Sequence, residues 1–96
     1  MNIEEFNRLF KNDLEFLSEN ELDCLSKIKI EPYALQCLRR RGGGVESVYI
    51  VASRGSQLLL YDDVEDEYGV ALKPEDNLLR DWDLFGDLAF ALRRFL

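Results

Sequence analysis

Five carboxylates crowd six positions in the stretch LLLYDDVEDEYG: Asp62, Asp63, Glu65, Asp66 and Glu67 follow directly on Leu58, Leu59, Leu60 and Tyr61. Clustered acids can ligate a hard cation, work as an acid and base pair, or bind the lysines and arginines of another molecule. Calcium loops space their ligands as D-x-[DN]-x-[DN]-G with a distant glutamate, a pattern absent here, so no metal site and no cofactor is expected. Acid and base work needs two carboxyls set across a cleft with separated pKa values, whereas neighbouring acids on one strand face solvent together. The chain has no histidine, and Ser47, Ser53 and Ser56 lack a recognisable base, so no catalytic residue is assigned and no enzyme is expected. Charge pairing is the remaining chemistry. It competes with a partner-free role in which negative charge on an edge strand blocks edge-to-edge association.

The location of the charge favours a partner. Residues 61 to 83 hold nine acids against Lys73 and Arg80, a balance of −7 that equals the net charge of the whole 96-residue chain. Such a field draws in basic partners and repels nucleic acid and anionic membranes, so neither of those is an expected partner. A chain of this length, 47% hydrophobic, supports one domain over 1–96 around one core. No apolar run approaches the roughly 18 residues of a membrane span. The start, MNIEEFNRLFKNDLEF, carries acids at helical spacing instead of a basic and then apolar leader, which points to a cytoplasmic protein. Cys24 and Cys37 sit among leucines without CxxC spacing and read as core thiols.

The elements that must position the acids follow from periodicity. Ile3, Phe6, Leu9, Phe10, Leu14 and Leu17 recur at three- and four-residue steps, which predicts an amphipathic helix of about four turns. Ser18 and Glu21 have capping-box spacing, with Leu22, Leu25 and Ile28 continuing into a second, short helix. The segment IKIEPYALQCLRRRGGG supports two readings. Pro32, the helix formers after it and the arginines Arg39, Arg40 and Arg41 before glycine predict a helix over residues 32 to 41, its negative end offset by the arginines. Alternation of Tyr33, Leu35 and Cys37 predicts a strand, and the helix is the preferred expectation. Gly42 to Gly44 read as a turn, with no phosphate-loop pattern following.

VESVYIVA, the turn SRGS and QLLLYDD form a β-hairpin, YGVAL a further strand, and Lys73 to Asn77 a polar turn around Pro74. In DWDLFGDLAFALRRFL, Leu84 or Phe85, Leu88, Leu92 and Phe95 share a helical face. The expected fold is α+β: a small antiparallel β-meander packed by N-terminal helices and a C-terminal helix.

If residues 58 to 72 stay extended, Asp63, Glu65 and Glu67 form a row on one sheet face about 7 Å apart, with a bulge or corner near Asp62 and Asp66 where acids interrupt the apolar face. Tyr61, Tyr68 and Trp82 are the aromatic anchors beside that row. The hairpin, LLLYDDVEDEYGVAL and LLRDWDLFGDLAFALRRFL, covering about residues 45 to 96, resemble the C-terminal half of small acidic bacterial immunity proteins of polymorphic toxin systems. The resemblance implies a noncatalytic inhibitor that binds a basic toxin domain. The resemblance carries over no individual binding residues; from the charge cluster and its aromatic neighbours, partner-binding residues are expected at Asp62, Asp63, Glu65, Asp66, Glu67, Tyr61, Tyr68 and Trp82. The alternative is an adaptor or homodimer that uses its helices, with the acids only solubilising.

Overall fold

The computed structural model describes residues 1–39 and 44–96. Arg40, Arg41 and two glycines of the expected turn, Gly42 and Gly43, lie outside the described residues. The fold is α+β. Helices α1 (Ile3–Leu14) and α2 (Glu19–Ser26) precede strands β1 (Lys29–Leu38), β2 (Val45–Arg54), β3 (Gln57–Asp62) and β4 (Glu67–Leu72). Two short strands, β5 (Leu78–Leu79) and β6 (Asp83–Leu84), and helix α3 (Leu88–Phe95) complete the chain.

The sheet order is β5-β1-β2-β3-β4-β6, antiparallel between β1 and β4 as a meander requires, with β5 added parallel to β1 and β6 antiparallel to β4. This order imposes a geometric constraint. β5 and β6 occupy opposite edges yet are joined only by Arg80, Asp81 and Trp82. The four steps from Leu79 to Asp83 reach at most about 14 Å, whereas five strand intervals in a flat sheet span about 24 Å. The sheet must curl until its edges approach, and the connection closes the curl.

Curling gives the sheet two buried faces. The concave face holds Leu35, Cys37, Val48, Ile50, Leu58, Leu60, Ala71 and Leu79, with Trp82 and Leu84 packed against them. The opposite face carries Tyr49, Val51, Leu59, Tyr61 and Tyr68 against the helices. Burial on both sides explains the run LLLY, since Leu59 and Tyr61 pack under helices while Leu58 and Leu60 fill the curl. Phe6 of α1 is fully buried and stacks on Phe10, Tyr49 and Tyr61 at centroid distances of 5.7, 4.9 and 5.5 Å.

The caps follow the expected chemistry. Ser18 accepts from Glu21 N at 3.1 Å while the Glu21 carboxylate accepts from Ser18 N at 2.9 Å, so the capping box starts α2. The first helix is shorter than expected, ending at Leu14, and Leu17 packs into the core from the connection beyond it.

Two expectations are corrected. The segment expected to be a helix over 32 to 41 is β1 as far as Leu38; its alternation holds over Ala34 to Cys37, with Leu35 and Cys37 buried and Ala34 and Gln36 exposed, whereas Tyr33 is exposed. Pro32, which lacks an N–H, is accommodated at a register shift between Lys29 and Tyr33. The last helix begins at Leu88, because Leu84 is drawn into β6 against Gly69 and Gly86 takes φ +85° just before the Asp87 cap.

Gly69 is where β6 crosses β4. A Cβ there would collide with the Asp83 carbonyl oxygen and press on the Leu84 side chain. Gly69→Ala is expected to lower stability by about 1–3 kcal/mol through overpacking, read as a lower urea midpoint with an unchanged slope.

Candidate acidic interface

The turn from Asp63 to Asp66 joins β3 to β4 and projects from one end of the sheet. The expected extended row of Asp63, Glu65 and Glu67 is therefore not formed: Asp62 and Glu67 face each other as the last strand pair and the residues between them are turn. Asp66 takes the left-handed conformation at φ 54°, which reverses the chain. Glu65 and Asp66 are exposed, and Asp63 and Glu67 are half-buried.

Asp62 is not a surface residue. It lies on the concave side with Leu58 and Leu60, its residue 1% exposed. Arg39, at the end of β1, donates to it through both terminal nitrogens, Nη1 to Oδ2 at 2.9 Å and Nη2 to Oδ1 at 2.6 Å. Trp82 Nε1 donates to Oδ2 at 3.1 Å, and the N–H groups of Val64 and Glu65 donate to Oδ1 at 3.0 and 3.3 Å. Arg39 also forms an ion pair with Glu46 through Nε, without hydrogen-bond alignment, and stands over the Trp82 ring at 5.5 Å. Burial alone would raise the Asp62 pKa; the Arg39 and Trp82 hydrogen bonds and the backbone donor outweigh it and leave the pKa lowered.

Burial corrects two of the three expected anchors, Tyr61 and Tyr68. Tyr61 and Tyr68 are 4% and 3% exposed, with ring centroids 4.9 Å apart on the helix side. Their hydroxyls reach out to carboxylates, Tyr61 to Asp66 and Tyr68 to Asp13 Oδ2 at 2.7 Å. Burial and these carboxylate partners push both phenol pKa values up, so both are neutral donors at pH 7. Trp82 is half-buried against the concave core.

Two clefts flank the turn. The first, about 490 Å³, opens at the mouth of the curl and is walled by Leu38, Val64, Trp82 and Leu84, with Arg39 and Asp62 inside and Glu65, Arg80 and Asp81 on its lining. The second, about 480 Å³, lies on the helix side between the end of α1 and the start of α3, where Asp13, Asp66 and Asp87 meet Phe16, Tyr61 and Tyr68. Of the sequence-predicted residues, Asp63, Glu65, Asp66 and Glu67 gather at one end, whereas Asp62, Tyr61 and Tyr68 support them from inside. Arg39, Asp13, Phe16 and Asp87 are additions. Phe16 carried a signal, since it falls outside the stripe of Phe6, Leu9, Phe10, Leu14 and Leu17; Asp13 and Asp87 carried none.

Among the described residues no group of three metal-ligating side chains is placed to hold an ion, and no helix is long and apolar enough to cross a membrane.

Because Asp62 has a depressed pKa, its stabilisation is fully present above the unfolded value near 3.8 and is lost as pH falls through the lower folded value. Arg39→Met, which strands the buried carboxylate, is expected to cost about 3–5 kcal/mol at pH 7. That cost should shrink toward pH 3 as Asp62 protonates, measured by urea melts at stepped pH. An equal cost at both pH values would mean that Arg39 acts through packing. In comparisons with known proteins, no family model, curated protein or solved structure matches the chain.

Proposed function

We propose that this chain is a noncatalytic protein-binding module of the immunity type, cytoplasmic, which neutralises a basic toxin domain by engaging it with the acid-rich end of the β3–β4 hairpin. The observation that carries the reading is the gathering of carboxylates at that end. Asp63, Glu65, Asp66 and Glu67 stand on or beside one turn, and folding adds Asp13 and Asp87 from distant parts of the sequence. Among the described residues, the Glu65 and Glu67 side chains have neither an ion pair nor a hydrogen bond. Their charge is directed outward, where it accelerates encounter with a cation-rich surface. The toxin class comes from the resemblance of residues 45 to 96; the charge and its placement support a basic partner.

A second reading is favoured by one observation. Leu22 of α2 and Phe90 of α3 are 40% and 44% exposed on helices that touch each other, a surface suited to a helix-mediated homodimer. Salt separates the two. Charge-led association slows steeply as ionic strength rises toward 1 M, where the Debye length is about 3 Å, whereas apolar helix pairing does not.

The test compares wild type with Asp63→Asn/Glu65→Gln/Glu67→Gln as baits in lysate of the source cell, followed by association kinetics of the captured protein. Loss of one basic partner from the variant, with a salt-sensitive on-rate for wild type, is the expected result. Equal capture by both baits would assign the acids to solubility alone.

A further inference from the structure

We infer that the groove between the end of α1 and the start of α3 receives an arginine side chain of a protein partner. This rests on the reading of the chain as a module for basic proteins and assigns that reading a specific subsite. The groove is about 480 Å³, and its walls are mostly apolar or aromatic, with Leu9, Leu17, Leu88 and Ala89 around the buried rings of Tyr61 and Tyr68. Phe16, in the connection after α1, lines it 85% exposed, an uncommon position for a phenylalanine in a chain whose α1 aromatics are buried.

Charge complementarity selects the occupant. Among the described residues, the ionisable side chains lining the groove other than the tyrosines are Asp13, Asp66 and Asp87, and no described lysine or arginine lines it. Asp87 is committed to the start of α3, accepting from Phe90 N at 2.9 Å. Asp13 and Asp66 each take one tyrosine hydroxyl on one oxygen, which orients the carboxylate and leaves its second oxygen open. Neither has a cationic partner among the described residues.

An arginine fits this set better than a lysine. Its planar guanidinium can donate to two separate carboxylates at once and stack on an aromatic face, here that of Phe16, while its methylenes lie along the apolar wall. An ammonium offers a point charge with stronger hydration and no stacking face.

The test uses Nα-acetyl-arginine methylamide as probe, titrated into the 15N-labelled chain, with Nα-acetyl-lysine methylamide and Nα-acetyl-norleucine methylamide as comparators. Saturable amide shifts confined to Leu9, Asp13, Phe16, Leu17, Tyr61, Asp66, Tyr68 and 86 to 89 are expected, strongest for the arginine probe. Asp13→Asn and Asp66→Asn should each weaken the binding about fivefold, and Phe16→Ala should do the same. These variants preserve the fold by design: asparagine still accepts the tyrosine hydrogen bond and tolerates the left-handed backbone at position 66, and Phe16 is a surface residue.

Shifts that fail to saturate, that centre on Asp63 to Glu65, away from the groove lining, or that persist unchanged in the variants would overturn the assignment, as would equal binding of the norleucine or lysine probe. The titration needs no natural partner, so its outcome is independent of partner capture. A chain that loses its partner in the Asp63/Glu65/Glu67 variant but shows no arginine binding in the groove would retain the charged-face reading and lose this subsite.

Discussion

A carboxylate with almost no exposure has to be held by donors, because removing its hydration costs several kcal/mol. Asp62 meets five: two from Arg39, one from Trp82 and two from the backbone of its own turn. These donors come from the end of β1, from the connection between β5 and β6, and from the β3–β4 turn. The connection is the short bridge that forces the sheet to curl, and Trp82 lies on it. One buried charge thus ties the closing segment to the two strands whose ends form the mouth of the curl. Apolar side chains at positions 39 and 62 together would pack as well, and such replacements of whole buried ion pairs often cost little. What they would lack is any preference for each other and for Trp82 over other apolar neighbours.

This arrangement also decides which acids reach solvent. The hairpin sends Asp62 inward and spends two N–H groups of the turn on it, which anchors the turn while Glu65 and Asp66 stay exposed. Tyr61 and Tyr68 do the equivalent on the other face. Their rings belong to the aromatic core around Phe6, while their hydroxyls emerge beside Asp66 and Asp13. The core therefore extends to the acidic end and orients it from beneath.

The parts of the fold legible in the sequence are those specified by near neighbours. The capping box at Ser18 and Glu21, the amphipathic stripe from Ile3 to Phe10 and the VESVYIVA–SRGS–QLLLYDD hairpin depend on residues a few positions apart, and all three form. β1 was harder because its local signals conflict. Ala34, Leu35, Gln36 and Leu38 favour helix, yet Leu35 and Cys37 gain more by facing the concave core, and pairing with β2 overrides propensity. Arg39 was legible only as a charge at a helix end; its role depends on Asp62, 23 positions away. The burial of Tyr61 was hidden because alternation assigns one buried face to a strand, and here both faces are buried.

Counting charge along the chain located the acidic segment but understated its effect. The stretch from 61 to 83 omits Asp13 and Asp87, which folding brings to the same end of the molecule from α1 and from the cap of α3. Internal donors offset part of the resulting repulsion: the two tyrosine hydroxyls, the Phe90 N–H at Asp87, and the Met1 amino group 3.7 Å from Asp63. Those are single contacts, the Met1 amino group being the cation among them and the others neutral, and none reaches the side chains of Glu65 or Glu67. Neutral donors orient a charge without cancelling it. The negative charge at this end is consequently concentrated on Glu65 and Glu67, the side chains that no donor among the described residues reaches.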